Sequence, residues 1–170
     1  MRTAAFATAF TYAGRRLTRL EIGIYSAVGA ILFAVFADRA LDYMEWAERT
    51  AMYTTLSVVA SSANARVAAD MLQGSGSAAG RHTGRNPFAL AGTTPPFFLG
   101  DLGSRELGSL ERPAWVFDGQ RGEVVYLPRI RRALRTEDPA GALRFRLVPH
   151  PNGLGYLLVS TSRYEWQVLP

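Results

Sequence analysis

The run Leu20 to Ala37 contains a single charged side chain, Glu21, and stands behind three arginines, Arg15, Arg16 and Arg19. As a helix rising about 1.5 Å per residue, its length is roughly 27 Å, close to the thickness of a hydrocarbon core. The chain has no proline before Pro87, so nothing in the sequence stops a helix that starts here from continuing well beyond Ala37. A chain of 170 residues then has room for one membrane span, one helix outside it and one small globular head.

The direction of crossing follows from where the charge lies. Arg2, Arg15, Arg16 and Arg19 precede the span, whereas Asp38, Arg39 and Asp42 follow it. Arginine on the near side predicts a cytoplasmic N-terminus and a head across the membrane, in the periplasm for a bacterium with two membranes. The rival reading is a cleaved secretory signal, with Val35-Phe36-Ala37 as the small-residue junction. The apolar run exceeds the usual core of such a signal, and helical patterning continues through the cut. All 19 basic residues are arginine, a bias of composition rather than of chemistry. With no cysteine, disulfide frameworks and thiolate metal sites are excluded.

From Asp38 to Leu72 the apolar residues Leu41, Met44, Met52, Leu56, Val59, Ala63, Val67 and Met71 recur mostly at steps of three and four. That spacing predicts an amphipathic helix packed on a core by one stripe. Asp42, Glu45, Arg49, Ser61, Arg66 and Asp70 are expected on the polar face, with Glu45 and Arg49 forming an i, i+4 pair. Gly74-Ser75-Gly76-Ser77 is expected to end the helix. Residues 73–113, rich in glycine and proline, read as an ordered connecting loop, with a short turn of helix from Asp101 through Leu107.

The last third predicts strands. Ala114–Asp118 and Glu123–Leu127 flank a turn containing Gly119 and Gly122, a hairpin pattern. Leu143-Arg144-Phe145-Arg146-Leu147 alternates strictly, apolar inward and arginine outward. Pro151-Asn152-Gly153 leads into Leu154–Ser160, and Ser160–Arg163 into Tyr164–Leu169, where Tyr164, Trp166 and Val168 share a face. The expectation is α+β: a long N-terminal helix packed on a four- or five-stranded antiparallel sheet.

This order resembles the type IV pilins and type II secretion pseudopilins. The residues that carry the likeness are Leu17-Thr18-Arg19-Leu20-Glu21, set against the family's short mature start ending in glutamate, and the apolar run after Glu21. Asn86-Pro87, Pro95-Pro96 with Leu99-Gly100, Trp115-Val116-Phe117-Asp118 and Val125-Tyr126 are also similar to one branch of pilin-like proteins. The resemblance implies a processing junction between Arg16 and Leu17, served by prepilin peptidase. The family's glycine at that junction is Arg16 here, and the nearest glycine is Gly14. Lack of cysteines removes the disulfide-bounded loop of many major pilins, which points to pseudopilins or minor pilins. The implied layout is a leader-like segment 1–16, a transmembrane half 17–37, an amphipathic half 38–72, a loop 73–113 and a sheet head 114–170. The implied partners are membrane lipid and other pilin or pseudopilin subunits, in a bacterial inner membrane.

Glu21 carries two readings. It is a carboxylate near the interface that snorkels or pairs with Arg19, or, as the resemblance implies, an assembly residue that compensates the terminal amine of a neighbouring subunit. The run Pro128 to Arg135, with Arg129, Arg131, Arg132 and Arg135, likewise reads either as a solvated loop or as a phosphate contact for DNA. Two histidines, His82 and His150, lack ligand-like spacing, and no nucleophile elbow or phosphate loop is present. Neither catalysis nor a cofactor is expected, and Glu137-Asp138 falls short of a calcium site. The alternative to a filament subunit is a bitopic membrane protein with a periplasmic β-rich binding domain.

Overall fold

The computed structural model describes residues 18–72, 82–152 and 155–167. The chain divides into two compact units at Ala40–Leu41. Arg16, Leu17, the Gly74–Ser77 stretch, Gly153, Leu154 and Val168 lie outside the described residues.

The first unit is the beginning of helix α1 (Arg19–Leu72, 54 residues). Its large apolar side chains, from Leu20 through Phe36, are exposed all round the helix. Among the described residues this is the one helix long and apolar enough to cross a membrane, and it lies near the N-terminus.

In the second unit α1 becomes one-sided. Met52, Leu56, Val59, Ala63 and Val67 are buried, at steps of four and three that keep them on one stripe. Met52, Leu56 and Val59 pack with Trp115, Phe117, Val124, Tyr126, Leu143, Phe145 and Trp166. Val67 joins Leu147 and Tyr156. The expected stripe extended to Leu41 and Met44, but both are exposed. Seven residues before Met52 the stripe arrives instead at Glu45, which is 1% exposed. Glu45 therefore does not stand on the polar face, and its partners are Ala133 and Trp166 rather than Arg49.

The main sheet has the order β1-β2-β3-β5-β6. Its strands are β1 (Phe98–Asp101), β2 (Ala114–Asp118), β3 (Glu123–Leu127), β5 (Leu143–Pro149) and β6 (Tyr156–Ser160). From β2 to β6 neighbours are antiparallel, as expected, while β1 runs parallel to β2. The stretch expected as ordered loop thus supplies an edge strand and a short helix α2 (Pro87–Ala91), and the helical turn expected from Asp101 through Leu107 falls instead at Leu107–Ser109 as a 3-10 turn, Asp101 ending β1. Asn86 caps α2 by accepting from the Phe88 N–H at 3.0 Å. The free edge of β1 is blunted by Arg105, whose guanidinium donates to the carbonyls of Leu99, Asp101 and Leu102.

β2 and β3 are buried on both faces. On the side away from α1, Leu102, Leu107 and Leu110 lie over Ala114, Val116, Val125, Leu127 and Ala142. β5 keeps the predicted alternation, with Leu143, Phe145 and Leu147 inward. The expected continuation of the meander into the last strand is not found. β7 (Tyr164–Trp166) leaves β6 and pairs with β4 (Leu134–Thr136) in a separate two-stranded sheet, Leu134 opposite Trp166 and Arg135 opposite Glu165. At the departure point Ser162 Oγ accepts from the Arg144 N–H at 3.0 Å, and Trp166 is anchored on Glu45.

Candidate functional site

Glu21 closes the start of α1 on itself. Thr18 donates to Glu21 Oε2 from its backbone N–H at 2.8 Å and from its hydroxyl at 3.0 Å. The Glu21 N–H donates to Thr18 Oγ1 at 3.2 Å. Threonine followed three residues later by glutamate is a capping box, which satisfies donors that a helix start otherwise leaves open. Its signal in the sequence is the spacing Thr18-x-x-Glu21, which gives Glu21 a local role beside snorkelling and assembly.

The arginine-rich run is not a free loop. Three acids of α1 at steps of three, Asp42, Glu45 and Glu48, hold it. Glu48 Oε1 accepts from the Arg129 N–H at 2.6 Å and from the Tyr126 hydroxyl at 2.9 Å, and its Oε2 accepts from the Ile130 N–H at 3.0 Å. Glu45 Oε1 accepts from the Ala133 N–H at 3.0 Å and from Trp166 Nε1 at 2.8 Å. Asp42 Oδ1 faces Arg132 Nη1 at 3.4 Å. Charge-assisted bonds of this kind are stronger than neutral ones. The Tyr126 phenol is pushed well above its ordinary range, first by burial and then by the Glu48 carboxylate it donates to. Sequence reasoning missed this latch because it assigned Glu45 to the solvent side; the heptad step from Met52 back to Glu45 was the available clue.

Held in this way, the loop turns its side chains outward. Arg129, Arg131, Arg132 and Arg135 are all exposed. Arg129 Nε reaches the Arg112 carbonyl at 3.4 Å, and Arg131 Nη1 the Ala140 carbonyl at 3.4 Å. Arg112 sits beneath them and donates to the carbonyls of Pro128 and Ala140. Its pKa is lowered, chiefly by burial and next by the charge of Arg131.

Arg144 and Arg146, close to this run in sequence, belong to a different arrangement. Arg144 lies among Asp118, Glu123 and Asp138 at 3.7, 3.7 and 3.1 Å, and Arg146 meets Glu123 at 2.9 Å. Both are spent on the outer face of the sheet. The same network occupies Asp138, which also accepts from the Ala140 N–H. Among the described residues, no three acid or histidine side chains gather as a metal-binding group.

The two histidines are far apart in role. His82 lines a cleft of about 560 Å³ with Arg66, Asp70, Arg85 and Asn86, its ring edge-on to Tyr156. His150 Nδ1 accepts from the Asn152 N–H at 3.2 Å. A second anchor of helix to sheet lies near the distal end of α1. Asn64 exchanges two hydrogen bonds with the backbone of Tyr156, accepting from its N–H at 2.7 Å and donating to its carbonyl at 3.0 Å. Gly155, at φ +83°, permits this approach, since a Cβ there would stand 2.7 Å from Asn64 Oδ1.

No protein-family model, no curated protein and no solved structure matches this chain.

Proposed function

We propose that this chain is a pilin-like structural subunit, a pseudopilin or minor pilin of a type II secretion or type IV pilus assembly, anchored in a bacterial inner membrane. The observation that supports this reading most is the two-part character of α1. Its first part is apolar on every side, and its second part buries a single stripe against a mostly antiparallel sheet. A helix apolar all round needs lipid or other apolar helices as its surroundings. The arginines before the span favour a cytoplasmic N-terminus with the head in the periplasm. In this reading the work is assembly: the apolar part packs among the same parts of pilin or pseudopilin subunits, and the head presents a surface.

Mass spectrometry of the N-terminus of chain extracted from membranes tests the reading. A start at Leu17 is expected for a subunit processed by prepilin peptidase. A start at Asp38 contradicts it and leaves a secreted head. Glu21→Ala is expected to leave membrane insertion intact and to lower co-purification with pilin-like partners; undiminished recovery contradicts an assembly role for Glu21.

Two observations favour a second reading, an unprocessed bitopic anchor carrying a periplasmic binding domain. Glu21 is already engaged by Thr18 of its own chain, and Arg16 replaces the glycine of the resembled junction. An intact Met1 in the extracted chain, together with a monomer after mild crosslinking in membranes, selects that reading over the filament.

A further inference from the structure

We infer that the loop 129–135 is a docking surface for the bilayer itself, its guanidinium groups contacting the phosphates of anionic phospholipids on the side where α1 leaves the membrane. The inference rests on the membrane-span part of the proposed function and goes beyond it, because it assigns the arginine cluster a ligand.

Position along the chain is the first argument. The loop is fastened at Asp42, Glu45 and Glu48, within the second unit. Asp42 follows Ala37, the last residue of the apolar run, by five residues. That is about 8 Å of helical rise, and no more than about 18 Å however the chain runs. A phosphate surface is therefore always within reach of Arg132 and its neighbours, at a high effective concentration.

Chemistry is the second. Guanidinium pairs with phosphate through two parallel N–H donors, and Arg129, Arg131, Arg132 and Arg135 are exposed along one short loop. The backbone of the run is held by Glu48 at Arg129 and Ile130 and by Glu45 at Ala133, so contact costs chiefly the ordering of the side chains.

The third is the apolar company they keep at the same end of the head. Tyr43, Met44 and Trp46 are all exposed, although they precede the buried stripe by only a few residues. Met44 shares a groove of about 310 Å³ with Ile130 and Arg129. Tyrosine and tryptophan beside arginine, just beyond an apolar span, are the composition that settles at the headgroup level. Nucleic acid offers the same phosphates but gives Tyr43 and Met44 no apolar phase, and no span carries the loop toward it. The bilayer is thus the occupant these residues fit.

The test uses the full chain, which has no native cysteine. A nitroxide at E137C, an exposed position beside β4, is read in bilayers of phosphatidylcholine alone and of phosphatidylcholine with phosphatidylglycerol. A nickel-chelating lipid reports proximity to headgroups. Flotation with carbonate resistance checks insertion first. Expected is a stronger nickel effect in the anionic bilayers, weakened by added salt. The loop's occupancy of the surface should fall roughly fivefold for each arginine removed in R129Q/R131Q/R132Q/R135Q. The matching lysine variant, R129K/R131K/R132K/R135K, should recover most of it, which separates charge from folding.

A chain that floats but gives the same nickel effect in both bilayers overturns the inference and leaves the span reading intact. A glutamine variant indistinguishable from the parent overturns it as well. Immobilisation of the label by a DNA duplex in detergent, with no response to phosphatidylglycerol, replaces it with the nucleic-acid reading. A chain that fails to float removes the span reading and this inference together.

Discussion

The two parts of α1 are covalently alike and physically opposite. Both are helix, and neither contains proline. Between Leu20 and Phe36 the large apolar side chains point in every direction, with Phe33 and Phe36 each 71% exposed. Between Met52 and Val67 most of them gather on one buried stripe, Met52 and Val59 each at 1%, while Tyr53 and Val58 stay exposed. The difference teaches that helix formation and helix placement are separate problems. Local preference and the lack of a breaker account for the first. For the second, the angular distribution of apolar groups decides whether a sheet can satisfy the helix or whether it needs an apolar medium.

Substitutions in the two parts should break this symmetry of form. The largest effect is expected at the sheet-facing stripe. Met52→Ala should destabilise the head by about 2–5 kcal/mol, as a large side chain leaves a packed core. Leu32→Ala, in the exposed apolar part, should leave the melting of the head unchanged, by circular dichroism of the full chain in detergent. Equal losses at both positions would erase the distinction.

Next is Glu45, where charge interrupts the apolar stripe. Glu45→Ala strips an acceptor from the Ala133 N–H and from Trp166 Nε1. The expected cost is about 2–4 kcal/mol, since the donors are left buried and unpaired. Glu45→Gln keeps a carbonyl for them and should cost less. Trp166 emission should shift to the red in the alanine variant only.

A pH dependence comes third. The phenols of Tyr126 and Tyr164 are both raised from the ordinary value of 10.0, in each case first by burial. Tyr164 is then affected by its hydrogen bond with Tyr53, and Tyr126 by Glu48. The folded head therefore keeps protons that the unfolded chain releases above pH 10, so stability is complete below that pH and declines as pH rises beyond it. Tyr126→Phe should flatten the decline in a melting series from pH 9 to pH 11.

The smallest effect belongs to the start of the helix. Thr18→Ala removes the capping box and should cost about 1 kcal/mol of local helix stability. Amide exchange over Glu21–Tyr25 should quicken while that over Met52–Val67 does not change.

Much of this arrangement is legible in the residues themselves. The helix, its one-sided second part and the antiparallel core strands follow from period and turn chemistry, because apolar spacing maps directly onto a face. Pairings made at a distance do not follow. Nothing local to Tyr164–Trp166 says that it pairs with Leu134–Thr136 rather than extending the meander, since short strands take their partners from tertiary contacts. The parallel edge strand Phe98–Asp101 hides among glycines and prolines for the same reason. Glu45 is the instructive case. A carboxylate reads as solvent-facing, and only its seven-residue step to Met52 and a further seven to Val59 marks it as part of the buried stripe. The arginine run was legible as a cluster, but the acids that fix its backbone lie about 80–90 residues earlier.

The most direct test of the contrast within α1 is a cysteine scan from Leu20 to Val67 in native membranes, read by a membrane-impermeant maleimide. The account predicts no labelling on any face from Ile22 to Phe36. Beyond the residues next to the span it predicts a helical rhythm, with Thr50, Thr54 and Ser57 reactive and Met52, Leu56 and Val59 protected. A helical rhythm of labelling in the first part would contradict the account, because that part would then be a surface helix in water rather than one surrounded by lipid or apolar helices.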